Sequence, residues 1–155
     1  MEIIPDAMPD TMRDNERNAR DILVIAKLMR KCTKEKGKMV FATDGGMKGR
    51  TFRHQRASWA VATAKGKHQG TVRGADRSSA AAERWAAYMA IMAAAAAKIR
   101  APIFILIDNL SVCDQLQRLV KYGWNNPMQC NGLWKDMYTV IKTLNINFFW
   151  VPSHG

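Results

Sequence analysis

The sequence predicts an α/β domain built on a mixed sheet, with a short helical extension ahead of it. Three observations lead there. Short apolar runs of strand length, bounded by Gly, Pro and Asp, punctuate the chain from residue 39 onward. Helical patterns separate the later runs, giving three strands, a helix, a strand, two helices and a strand. The length of 155 residues allows one domain with a real core and is too short for two.

Each element has its own local reason. Within residues 1–38, Pro5 and Pro9 precede a helix over about 11–31, where Thr11 and Asp14 have the form of a capping box. Ile22, Ile25, Ala26 and Met29 share one face of that helix. The segment either packs on the domain or is the tail of a preceding domain in a longer polyprotein, and the lysine-rich stretch 31–38 reads as a linker. Residues 39–43 form a first strand ending at Asp44-Gly45-Gly46, where the chain is expected to turn. Residues 57–63 suit a second strand and 70–74 a short third. Ser78 and Ser79 can cap an alanine-rich helix over about 80–99, apolar nearly all round and so expected in the middle of the fold. Pro102 breaks it, and the continuous apolar run 103–107 reads as a buried central strand ending at Asp108. A helix over about 111–120 follows, then a loop through Gly123, Asn125, Asn126 and Pro127. Next comes an amphipathic helix over about 132–144, with Leu133, Met137, Val140, Ile141 and Leu144 on one face. Residues 146–151 make the last strand.

Composition narrows the function classes. The longest charge-free apolar run, 85–97, is too short to span a bilayer, and the N-terminus has neither the basic nor the apolar region of a secretory signal. Cys32, Cys113 and Cys130 match neither a disulfide framework nor zinc-ligand spacing, so free thiols and an intracellular location, cytoplasm or nucleus, are expected. Of the net charge of +11, residues 1–38 carry +2 and residues 39–155 carry +9. A basic body implies a polyanionic partner such as nucleic acid, with a solubilising surface as the competing explanation.

Against that basic background only six acids remain after residue 38: Asp44, Asp76, Glu83, Asp108, Asp114 and Asp136. Asp44 and Asp108 each close a predicted strand, and Glu83 lies in the first turn of the apolar helix. Singly, each has an ordinary explanation: a turn residue before Gly-Gly, a complement to the helix dipole, a turn or helix cap. Jointly, if the two strands are parallel neighbours and the helix crosses them, the carboxylates converge at the carboxyl edge of the sheet, where open α/β folds place their ligands. Such a cluster repels itself unless cations hold it, and hard oxygen donors suit Mg²⁺ or Mn²⁺.

The motifs resemble, in order, those of ribonuclease H. They are Thr43-Asp44-Gly45-Gly46, Ala82-Glu83, Ile107-Asp108-Asn109, Leu133-Trp134 and Trp150-Val151-Pro152-Ser153-His154-Gly155. The Asp, Glu, Asp order with gaps of 39 and 25 residues is the specific part, and the texture is closest to ribonuclease H domains of retroelement reverse transcriptases. The resemblance covers residues 39–155 and implies a ribonuclease H-like fold: a mixed five-stranded sheet with helices on both faces, here lacking the final helix. It implies a metal-dependent endonuclease cutting the RNA strand of RNA–DNA hybrids, with two Mg²⁺ ions, or Mn²⁺, on Asp44, Glu83 and Asp108. His154 corresponds to the family's mobile-loop histidine, which assists product departure.

Substrate contacts are expected from Ser78, Ser79 and Asn109, although the family often has asparagines where the two serines stand. The loop between the first two strands, with Lys48, Arg50, Arg53 and Arg56, is more cationic than a fold needs and suits phosphates. Trp124 beside Tyr122 is either a substrate handle or a packing residue, and His54 and His68, read as lying in basic loops, have no catalytic role. The family has a fourth carboxylate in a helix shortly after His-Gly, where this sequence stops, so a C-terminally truncated domain is expected. The alternatives are a catalytically silent ribonuclease H-like module that binds nucleic acid or props a fused or neighbouring reverse transcriptase domain, and a basic α/β binding domain whose carboxylates are structural. No membrane partner is expected.

Overall fold

Side-chain alternation along five strands sorts the chain into an inner and an outer surface. The structure, a computed structural model, describes residues 10–33, 39–48, 56–72, 79–123 and 132–152. The strands are β1 (Met39–Lys48), β2 (Arg56–Thr63), β3 (Gly66–Thr71), β4 (Ile103–Ile107) and β5 (Ile146–Trp150), in the sheet order β3-β2-β1-β4-β5. The first three form an antiparallel meander, while β1, β4 and β5 run parallel, which makes the sheet mixed as expected. Phe41 and Thr43 of β1, Trp59 and Val61 of β2, Ile103, Ile105 and Ile107 of β4, and Ile146 and Phe148 of β5 are all buried on one face.

The helices are α1 (Asp10–Thr33), α2 (Ser79–Ala96), α3 (Leu110–Tyr122) and α4 (Gly132–Ile141). The connection from the meander through α2 into β4, and that from β4 through α3 and α4 into β5, both step in the same direction across the sheet. Right-handed crossovers that step the same way lay their helices on the same face. The burial pattern agrees, since Ala86, Ala87, Ala90 and Ile91 of α2, Leu116 of α3, and Trp134 and Met137 of α4 join one core with the inward strand residues. The expectation of helices on both faces is therefore met on one face only among the described residues. On the other face Val40 and Phe149 are 40% and 46% exposed, and the Phe104 and Phe149 rings meet with centroids 5.8 Å apart.

The N-terminal helix packs on the rest of the fold. Ile25, Ala26 and Met29 are fully buried, and α1 lies against α2 and the β2–β3 hairpin. Arg30 Nη2 donates to the Ala96 carbonyl at 2.9 Å, and His68 Nε2 pairs with Asp21 Oδ1 at 2.8 Å.

Several local expectations need correcting. β1 does not turn after Asp44 but continues to Lys48, pairing Asp44 with Ala60 and Lys48 with Arg56. Gly45 is there for close approach: a Cβ at that position would sit 2.3 Å from the Ala82 carbonyl carbon and the Glu83 nitrogen. The third strand lies at Gly66–Thr71, earlier than 70–74, because Gly66 (φ +145°) lets the chain reverse straight after β2. Gly70 is a strand-interior residue lying under the Trp59 ring, not a boundary. His68 is accordingly a strand residue and not a loop one. The alanine helix ends at Ala96 rather than 99, where Lys98 adopts a left-handed φ of 56°. The amphipathic helix stops at Ile141, with Leu144 in the turn that follows.

Candidate carboxylate site

Gly45 decides where the site forms. Without a side chain at 45, the backbone of α2 rests directly on β1, and the small Ala82 and Ala86 keep it there. Glu83 is the fifth residue of α2, not part of its first turn, so complementing the helix dipole does not explain it. It is instead buried, 1% exposed, at the contact with β1. Its Oε2 accepts the Gly45 backbone N–H at 2.8 Å, and its Oε1 is buried with no hydrogen-bond partner.

The other two acids come from the sheet. The parallel rungs between β1 and β4 end at Thr43 and Ile107, so Asp44 and Asp108 are each the next residue beyond the last rung. Beyond that rung Asp44 is exposed and Asp108 half-buried. Asp108 does not cap the helix that follows; Asn109 does, its Oδ1 accepting from the Val112 N–H at 3.0 Å. One carboxylate oxygen each from Asp44, Glu83 and Asp108 lie within 4.8 Å of one another, a group that could hold a metal ion. The three-way convergence expected from the sequence is what the fold builds.

The electrostatics follow from that crowding. Burial first, then the hydrogen bond and charge of Asp108, push the Glu83 carboxyl from its ordinary 4.5 up to about 9. Asp44 is also raised, by burial and then by Asp108, against a lowering pull from Lys67 and the Gly45 N–H. At neutral pH the metal-free cluster keeps a proton on Glu83, and a divalent cation answers the same need for positive charge. The buried Oε1 is the independent sign of fit: an acceptor atom withdrawn from water that no donor reaches.

The remaining residues singled out by sequence are placed less completely. Lys48 ends β1 and Arg56 opens β2, so both belong to strands rather than to the intervening loop; their side chains, and all of Arg50 and Arg53, lie outside the described residues. Ser79 opens α2 with its side chain outside the described residues, and Ser78, His54, Trp124, Cys130 and His154 lie outside them altogether. Asn109 spends its side-chain oxygen on the α3 cap. Cys32 and Cys113 are free and buried. Sequence reasoning quoted Thr43 and Trp150 within motifs but gave neither a role; Thr43 Oγ1 donates to the Leu106 carbonyl at 3.2 Å, and Trp150 Nε1 donates to the Asp108 carbonyl at 3.1 Å. A cavity of about 430 Å³ lined by Leu119, Tyr122, Tyr138 and Lys142 opens at the other end of the sheet, near the start of β5, and has no carboxylate in its lining. None of the helices, among the described residues, is long and apolar enough to cross a membrane.

No protein-family model and no curated protein matches the chain. Solved structures do. The RNase H domain of prototype foamy virus shares 17% identity at a TM-score of 0.55, the match covering 78% of this chain and 82% of that one. An N-terminal RNase H domain from Mycobacterium tuberculosis, solved as a fusion with maltose-binding protein, shares 19% identity at a TM-score of 0.52, over 76% and 84% of the two chains. LC11-RNase H1, solved in complex with RNA/DNA hybrid, shares 13% identity at a TM-score of 0.51, over 76% and 87%. The chain has the ribonuclease H-like fold.

Proposed function

We propose that this chain is a metal-dependent endonuclease that hydrolyses the RNA strand of RNA–DNA hybrids. The observation that carries the reading is Glu83: a buried carboxyl, raised to about 9, with one oxygen fixed by Gly45 and the other unpartnered beside two aspartates. Asp44, Glu83 and Asp108 would hold two Mg²⁺ ions, or Mn²⁺, which when bound supply activation of water and stabilisation of the leaving oxygen. The chain's own part is preorganisation. The Gly45 N–H fixes Glu83 Oε2, and the exposed Asp44 and half-buried Asp108 leave the cluster accessible to a phosphodiester.

Around that centre we assign contacts with hybrid to Ser78, Ser79 and Asn109, and phosphate contacts to Lys48, Arg50, Arg53 and Arg56. We assign His154 to product departure. The activity belongs to residues 39–155, with residues 1–38 an extension, and a fused or neighbouring reverse transcriptase domain is the proposed partner. Support comes from the cationic body and from neighbours that include a foamy viral protease-reverse transcriptase in complex with RNA/DNA hybrid.

Single-turnover cleavage of a hybrid labelled on its RNA strand tests the proposal, in Mg²⁺, in Mn²⁺ and in EDTA. Cleavage with either metal and none in EDTA or in Asp108→Asn is the expected result. Metal binding without cleavage would overturn the catalytic assignment in favour of a silent nucleic-acid-binding module. No metal binding at all would make the carboxylates structural.

A further inference from the structure

Asp108 lies one residue past the last rungs of the sheet on both sides, since those rungs join Ile107 to Thr43 and Ile107 to Trp150. One further ladder bond, from the Val151 N–H to the Ile107 carbonyl at 2.9 Å, also stops short of it. What reaches Asp108 is a side chain: Trp150 Nε1 donates to its backbone carbonyl at 3.1 Å. We infer that Trp150 is a positioning residue for Asp108, pinning from β5 the one strand-borne carboxylate of the cluster that no ladder pairing holds. The inference rests on the metal-site reading above.

The burial of Trp150 supports this role. It shares the inward parity of Ile146 and Phe148, yet those are 4% and 3% exposed while Trp150 is 46% exposed. Apolar burial alone is a poor reason to place the largest side chain there. An indole offers a rigid ring with one donor and no acceptor, and here that donor meets the carbonyl of the residue it must hold. From the other side Thr43, 4% exposed, ties its hydroxyl to the Leu106 carbonyl at 3.2 Å. Just downstream, Asn109 anchors the start of α3. The strand end is thus gripped by β1, by β5 and by the following helix.

The test uses the full chain and Trp150→Phe, which keeps a flat apolar ring and loses the donor. Amide hydrogen exchange in metal-free protein should quicken about 10-fold for residues 108–112 and stay unchanged in β1 and β2. Mn²⁺ affinity, read by calorimetry, should weaken about 5- to 10-fold, as expected on losing a group that orients a ligand. In hybrid cleavage kcat should fall while KM holds. Thr43→Val should show a similar pattern and Thr43→Ser should restore it, which covers the case in which Trp150→Phe folds poorly. Unchanged exchange at residues 108–112 in a folded variant overturns the clamp whatever the metal does. Faster exchange with unchanged Mn²⁺ affinity reduces Trp150 to a structural residue and overturns its positioning role. Failure of the parent chain itself to bind Mn²⁺ would sink the reading of the site, and the exchange data would then decide the clamp alone.

Discussion

Replacing Glu83 with glutamine should make the metal-free protein more stable, by an amount set by pH. The folded-state carboxyl titrates near 9 against an ordinary 4.5, so its contribution to stability is fully present below 4.5 and is lost as pH rises toward 9. At pH 7 the folded protein retains a proton that the unfolded chain has released, a cost of about 3 kcal/mol at about 1.4 kcal/mol per pH unit. Glutamine is neutral throughout; its carbonyl can still accept the Gly45 N–H, and its amide can face Asp108. Glu83→Gln should therefore gain about 2 to 3 kcal/mol at pH 7, or about 5 to 10 °C in Tm for a chain of this size, and within about 1 kcal/mol of nothing at pH 5. Thermal and urea unfolding of both proteins in EDTA, from pH 5 to pH 9, measures this. The parent should lose stability across that window and the variant should hold level. Parallel pH profiles would refute the claim that Glu83 is the buried titrating group. Saturating Mg²⁺ should also flatten the parent profile, because the ion replaces the proton.

Mg²⁺ or Mn²⁺ should raise the Tm of the parent, by about 1.4 kcal/mol of stability at ten times Kd, and Asp108→Asn should remove that rise and itself stabilise the metal-free protein; a retained metal shift would show that Asp108 is not a ligand. Hybrid affinity should fall steeply with salt, and replacing Arg50 or Arg53 by alanine should lower the slope of log K against log salt by about one, with equal slopes removing that loop from the binding face. Met29→Ala should cost about 2 to 5 kcal/mol, since the side chain is fully buried between α1 and the rest of the core; a cost below 1 kcal/mol in urea unfolding would mean that α1 is only loosely docked.

Sequence was most legible where a single physical term ruled. β4 is buried on its inner face and half-buried on the other, and it reads as an unbroken apolar run with the observed limits. The helix over 132–144 was found from its apolar face, and only its last turn differs. The three acids stood out because a basic body has few reasons to keep carboxylates at strand ends. Legibility failed where a residue's reason lies across the fold. Gly45 has the local signature of a turn, and only the Ala82–Glu83 backbone above it explains it. β3 is an edge strand bearing Lys67, His68 and Gln69, so it has no apolar alternation to read. The bond from Trp150 to Asp108 spans 42 residues and leaves no local pattern. The one-sided placement of the helices follows from crossover handedness, which needs the strand order first.

Adjacent glycines at 45 and 46 are indistinguishable as letters, and the fold treats them oppositely. A Cβ at 45 strikes backbone at 2.3 Å, where no rotamer can yield, whereas a Cβ at 46 meets nothing within 4 Å. In a library randomised at both codons and selected for cleavage, position 45 should return glycine alone while position 46 drifts. Any lineage carrying this site would then be held by a residue that offers no side chain to the chemistry. Searches for distant relatives would do better to weight that first glycine as heavily as the acids it brings together.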